Sequence, residues 1–415
     1  LLRLLDDLEQ DYLKAALPLP EKAREAARLS RELLIEFGYG YKLILLEKTD
    51  RFFASKKQLA VHLHRAISTL ADTLTLSYKT YTPTPAGVWH EIHQLFHYAQ
   101  HFGLEDTPVE SGRRAKVSTI AMVYKQTLLL ALADPYRLQP GEVEQILALV
   151  QKHHNTVFVF PYSDQLSGAG LFLVRSDTDR PPKSLSGVEA VQGTPVDKVL
   201  SAANLAYSLG EIAGRLDAGM TLGQVGVPAY VDQATVAPLC RRLQKIWSVP
   251  PKRTFNRSAS GAHVEVCIGV ANIAEVMFES LRATETATTG AARPSFGDGL
   301  DFRRDSVDVG KLVRQWDILN QSAGGLALKR GAGGDSDGVS IAVGEVVAVR
   351  FDSNQPWAIG AVRWVYSEDA NGLQFGMQML GPHAECVSVM PALGNRAARR
   401  VPGLRLPELP TMRRP

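Results

Sequence analysis

The chain has 415 residues, 45% of them hydrophobic and 21% charged, with a net charge of +3. That length exceeds one ordinary core, so two or three domains are expected. The near-balanced charge gives no reason to expect binding to a nucleic acid polymer or a membrane surface. No apolar run approaches the roughly 18 to 20 residues of a membrane span. Three scattered cysteines, Cys240, Cys267 and Cys386, form no CxxC pair, which excludes a structural zinc site built on cysteines and fits a reducing, cytoplasmic location.

Residues 1–150 read as an all-helical bundle. "LLRLLDDLEQDYLKAAL" places apolar residues at i, i+3, i+4 and i+7, and "EKAREAARLSRELLIEFG" repeats the pattern and stops at Gly38. Further helices are predicted in "KKQLAVHLHRAISTLADTLTLSY", "AGVWHEIHQLFHYAQHFG", "VSTIAMVYKQTLLLALAD" and "PGEVEQILALVQKH", with prolines between them as breakers. No strict 34-residue period is visible, so a tetratricopeptide array is not claimed.

From Thr156 the pattern changes. "TVFVFPYS" and "GAGLFLVRSD" are β-branched and aromatic runs bounded by Gly, Pro, Asp and Ser, as strands are. "VDKVLSAANLAYSLGEIAGRL" and "VAPLCRRLQKIWSV" read as helices, so residues 151–249 form a mixed α/β middle domain. After His263 the strand signals return in "HVEVCIGV", "WDILN", "GLALKR", "GEVVAVRF", "WAIGAVRWVYS" and "LQFGMQML". Six short strands with Gly-rich turns read as a small antiparallel barrel over residues 250–392. An insertion interrupts it at about residues 271–312, and the second half of that insertion has the composition of a mobile loop. Residues 393–415 form a basic, Pro-rich tail expected to have no fold of its own. The fold class is therefore α+β and multidomain.

Two constellations carry candidate chemistry. In "WHEIHQLFHYAQHFG", His90, His93, His97 and His101 share one helical stripe. Such a stripe could hold Zn²⁺, but the HExxH spacing is absent, and the stripe reads rather as the polar edge of a helix whose Trp89, Ile92, Leu95, Phe96 and Tyr98 face the core. The other constellation is the hairpin "WDILNQSAGGLAL", whose Asn320-x-Ser322-x-x-Gly325 follows an Arg253-x-x-x-Arg257 placed just before the first barrel strand. Asn and Ser serve ordinary turns, so a plain hairpin is the competing reading.

Together these two half-motifs resemble the signature of the PilZ domain, the bacterial receptor for cyclic di-GMP. The resemblance covers about residues 250–390 and implies a six-stranded antiparallel barrel that binds cyclic di-GMP without a cofactor. It implies ligand contacts from Arg253, Arg257, Asn320, Ser322 and Gly325, flanked by Lys252, Gly324 and Arg363. The chemistry agrees: arginine pairs with phosphate oxygens and with the O6/N7 edge of guanine, and stacks on purines. Asn320 offers a donor and an acceptor to a base edge, Ser322 a hydroxyl, and Gly325 a close backbone approach. One departure is the gap of 63 positions between Arg257 and Asn320, longer than is usual in the family. An insertion lying over the ligand surface would gate or abolish binding.

GxSxG, Cys/His/Asn and Rossmann glycine patterns are absent, and "GAGGDSDG" lacks the features of a phosphate or EF-hand loop. The expected function is thus a non-enzymatic receptor that signals through its helices to a protein partner in motility, pili, biofilm or exopolysaccharide control. The alternatives are a scaffold with a degenerate barrel that binds no nucleotide, and a metalloprotein built on the histidine stripe.

Overall fold

The structure is a computed structural model that describes residues 5, 19–49, 55–110, 117–186, 193–227, 233–249, 258–259, 261–289, 309–330, 340–368, 372–390 and 401–408. The chain divides into two compact units, parted at Lys252 and Arg253.

The first unit opens with α1 (Glu21–Thr49) and α2 (Lys56–Lys79). α1 does not stop at Gly38. A Cβ there would sit 3.1 Å from Leu70 Cδ2, so this glycine serves the close packing of α1 on α2 rather than a helix end. The first helix read from the sequence lies almost wholly outside the described residues. Ser55 caps α2 by accepting from the Gln58 amide at 3.2 Å. The chain continues through α3 (Val88–His101), the short β1 (Val109–Glu110) and β2 (Val117–Ser118) ladder, α4 (Ile120–Leu132) and α5 (Glu142–His153). Thr119 caps α4, and the left-handed Asp134 followed by Pro135 breaks the chain beyond it.

The middle region adds a four-stranded antiparallel sheet in the order β3 (Phe158–Pro161), β6 (Lys198–Ser201), β4 (Leu171–Val174), β5 (Lys183–Ser184). α6 (Ala203–Asp217) and α7 (Gln233–Ser248) follow. Lys198–Ser201, predicted as helix, is instead the strand between β3 and β4, where Val199 and Leu200 are fully buried. One hydrophobic cluster joins Leu63, Ile92 and Leu128 of the helices to Phe172, Leu200 and Trp247 of the middle region. The expected boundary near residue 150 is therefore not a boundary between cores.

The second unit is a closed antiparallel barrel. A two-residue strand, β7 (Ser258–Ala259), precedes β8 (His263–Ile268), α8 (Val270–Thr289), β9 (Val313–Ser322), β10 (Gly325–Arg330), β11 (Val346–Arg350), β12 (Ala358–Ser367) and β13 (Leu373–Gly381). The strands run β10-β13-β12-β11-β8-β9, and the β9–β10 hairpin closes the ring of six. Inside, Trp316, Ile318, Leu328, Val347, Val362 and Phe375 are buried. The Trp316 and Phe375 rings meet edge-on with centroids 4.8 Å apart.

The barrel's outer surface has two halves. Over β8 and β11 lies α8, whose Ile273 and Val276 cluster with Cys267, Ala348, Trp357 and Ile359. The insertion thus begins as a packed helix between two paired strands, and helix continues to Thr289 through residues whose composition suggested a loop. Residues 290–308 lie outside the described set. The tail also contributes structure: β14 (Glu385–Val389) pairs with β15 (Val401–Arg405), and Leu404 and Leu406 pack against the α8 cluster. Burial of its leucines, not the Pro content, decides the fate of that segment.

Candidate functional site

The other half of the outer surface, over β9, β10, β13 and β12, holds the hairpin motif. Ser322 pairs with Gly325 across a two-residue turn, and the Ser322 hydroxyl donates to the Gly325 carbonyl at 3.3 Å. Gly324 accepts at its carbonyl from the Met379 amide at 2.9 Å. Gly325 has no room for a side chain: a Cβ would overlap the Met377 carbonyl oxygen and sit 3.0 Å from its carbon. This glycine brings β10 onto the β13 backbone, a structural demand that adds to any demand from a ligand.

Register places the outward residues in rows. One row runs Asn320, Ala327, Gly376, Trp364 across four strands. At about 4.8 Å per strand it spans roughly 14 Å. The next row runs Ser322, Gly325, Gln378, Ala361. Two irregularities set this arrangement. A bulge at Leu319 lets Asn320 and Asp317 share the outer face, and a second at Arg363 turns both Arg363 and Trp364 outward. Arg363 Nε donates to Gln378 Oε1 at 2.8 Å, which ties it to the strand beside Gly325. The Trp364 indole lies against Gly376, where a Cβ would overlap its nitrogen and sit 2.6 Å from Cδ1. Trp364 was not singled out in the sequence; the signal was its place opposite Gly376, which only the register reveals.

Below these rows, His263 Nδ1 and Asp317 Oδ1 are 2.6 Å apart, and Lys329 lies opposite Asp317. Tyr366 continues that row opposite Gln374. Burial, then the nearby Glu368, raise the Tyr366 phenol above its usual range, so it presents a neutral O–H.

Lys252, Arg253 and Arg257 lie outside the described residues. The chain resumes immediately after Arg257 at β7, where Ser258 pairs with Gln321 and Ala259 with Asn320. β8 pairs with β9 only as far as Asp317, so β7 occupies the remaining edge of β9 beside the motif. The described part of the insertion packs against β8 and β11, the opposite side of the ring from the Asn320 row.

The histidine stripe does not converge. His93 is buried, with Nε2 2.9 Å from the Arg180 carbonyl and Nδ1 2.8 Å from the Tyr124 hydroxyl. A carbonyl only accepts, so Nε2 carries the proton and Nδ1 accepts from Tyr124. Burial lowers the His93 pKa, in keeping with this neutral form. Both ring nitrogens are committed, while His90, His97 and His101 are exposed. Among the described residues no group of three or more His, Cys, Asp or Glu is placed to hold a metal ion. Nor is any described helix long and apolar enough to cross a membrane.

A closed six-stranded barrel with Asn-x-Ser-x-x-Gly on its β9–β10 hairpin is the architecture of a PilZ domain, and residues 303–386 match the family described as "Cyclic-di-GMP receptor FimW, middle PilZ domain". The C-terminal unit thus carries a PilZ family domain over those residues. Residues 1–160 match "Cyclic-di-GMP receptor FimW, N-terminal domain". Among characterised proteins, the chain is similar to the cyclic-di-GMP receptor FimW of Pseudomonas aeruginosa, 23% identical over 98% of this chain and 73% of that protein.

Proposed function

We propose that this protein is a non-enzymatic receptor for cyclic di-GMP, bound on the open outer face of its barrel. The observation that carries this reading is the register. The Asn320–Ala327–Gly376–Trp364 row forms a small-residue floor between an amide and an indole, and β7, which follows Arg257 in the chain, pairs with β9 at the amide end. Asn320 and Ser322 would meet a guanine edge, Trp364 would offer a purine its ring face, and Arg363 would add a cation at the far side. Arg253 and Arg257, joined covalently to β7, would supply the paired charge for phosphate and guanine. Lys252 and Gly324 flank the site.

The relative's name supports the ligand, and the two matched domains support the same pairing of helices with a barrel. The helical unit would pass the bound state to a protein partner in the cytoplasm. Calorimetric titration of the whole chain with cyclic di-GMP tests the reading. The expected result is saturable binding that fails for cyclic di-AMP, which lacks the O6 acceptor. Absence of heat at ligand concentrations of about 100 μM would leave the degenerate-scaffold reading in its place.

A further inference from the structure

Two residues below the Asn320 floor, a second outward row runs His263, Asp317, Lys329, Gln374, Tyr366 across β8, β9, β10, β13 and β12. On β10 the rows pass through Ala327 and Lys329, with the fully buried Leu328 pointing inward between them. At about 3.4 Å per residue the rows stand roughly 6.8 Å apart, within reach of one dinucleotide.

The charges in this row are not paired as their order suggests. Asp317 has a cationic side chain on either hand, His263 on β8 and Lys329 on β10. Its carboxylate turns to His263, whose Nδ1 lies 2.6 Å from Oδ1; a carboxylate only accepts, so Nδ1 donates. Lys329 is half-buried, yet among the described residues its ammonium has no ion pair or hydrogen bond, and neither has the side-chain amide of Gln374 beside it. Opposite charges facing each other across two strands ordinarily pair, and a partly desolvated ammonium left alone is unfavourable. His263 thus holds Asp317 aside and leaves Lys329 open to an anion from outside the chain.

We propose that Lys329 is a phosphate-binding residue of the cyclic di-GMP site, kept unpaired by the hydrogen bond between His263 and Asp317. This rests on the reading of the open face as the nucleotide site. The ligand carries two phosphodiesters, and with a guanine on the Ala327–Gly376 floor one of them would fall toward the lower row. There the ammonium meets its oxygens as a point charge, and Gln374 and Tyr366 continue the row with an amide N–H and a hydroxyl. His263 and Asp317 touch no ligand and act as positioning residues.

Calorimetric titration of the full chain with cyclic di-GMP at low and high salt tests this. Lys329→Gln should weaken binding at least about tenfold and make its salt dependence shallower. His263→Ala should weaken binding about two- to fivefold, the scale of an exposed ion pair, because the released Asp317 turns to Lys329. Adding Asp317→Asn to His263→Ala should restore wild-type affinity, a coupling that a merely structural role for the histidine would not produce. All three side chains lie outside the barrel core, so melting temperatures should hold. Wild-type affinity in Lys329→Gln overturns the proposal, and so does a His263→Ala loss that Asp317→Asn leaves uncorrected. Either result keeps the nucleotide reading, since the wild type still binds. A wild type that gives no heat with cyclic di-GMP defeats that reading and this proposal together.

Discussion

The two halves of the barrel's outer surface follow different sequence rules. β11, covered by α8, reads Val-Val-Ala-Val with no alternation, because Val347 and Val349 point inward while Ala348 faces the helix. β13, on the open half, alternates Leu373, Phe375 and Met377 with Gln374, Gly376 and Gln378. β11 and β13 therefore show two periodicities, set by whether the outer face of the strand is covered. An open face that is small and polar between Asn320 and Trp364 differs from a covered face in what it asks of each residue. One should control stability, the other affinity.

Four measurements break or sharpen that division. Ile273→Ala on the covered half removes a buried side chain and should cost about 2 to 5 kcal/mol of unfolding free energy. Cyclic di-GMP affinity of the remaining folded protein should not change. A parallel loss of affinity would show that the halves are not separable. On the open half, Arg253→Ala or Arg257→Ala should cost about 2 to 4 kcal/mol of binding, roughly 30- to 1,000-fold in Kd, with the melting temperature kept. Arg→Lys should restore part of that, since an ammonium keeps the charge but loses the planar fork. Trp364→Ala should weaken binding by about 1 to 3 kcal/mol if a base stacks there. An unchanged Kd would move the ligand off the Gly376 end of the row. Ser322→Ala should have the smallest effect, about 1 kcal/mol in titration, one neutral hydrogen bond.

Much of this is legible in the residues alone. Each of the six barrel strands lies within a run whose β-branched and aromatic residues marked it as strand, and the half-motif Asn320-x-Ser322-x-x-Gly325 stands on the hairpin expected for it. What misled were residues whose local signal had another cause. Gly38 resembles a helix stop but makes room for Leu70. Lys198–Ser201 continues an apolar run into α6, so strand and helix merged into one pattern. The Thr- and Ala-rich end of α8 has a loop's composition, whereas Ile273 and Val276 anchor its start by burial. The rows of the open face were beyond sequence reading, because they depend on bulges at Leu319 and Arg363 that no residue type announces. Trp364 could be placed only once those bulges were known.

Closure of the barrel has a consequence for how the chain acquires its structure. β9–β10, β11–β12 and β12–β13 join neighbours in sequence, but β8–β9, β8–β11 and β10–β13 join segments held far apart along the chain. Each distant pairing spends loop-closure entropy before its hydrogen bonds return anything, and no ring exists until all three are made. Folding of this unit should therefore be slow and all-or-none. The helices of the first unit, which meet mainly their sequence neighbours, can assemble while the barrel strands still lack partners. The interval between the two is when unpaired strands of the barrel are most exposed to other chains.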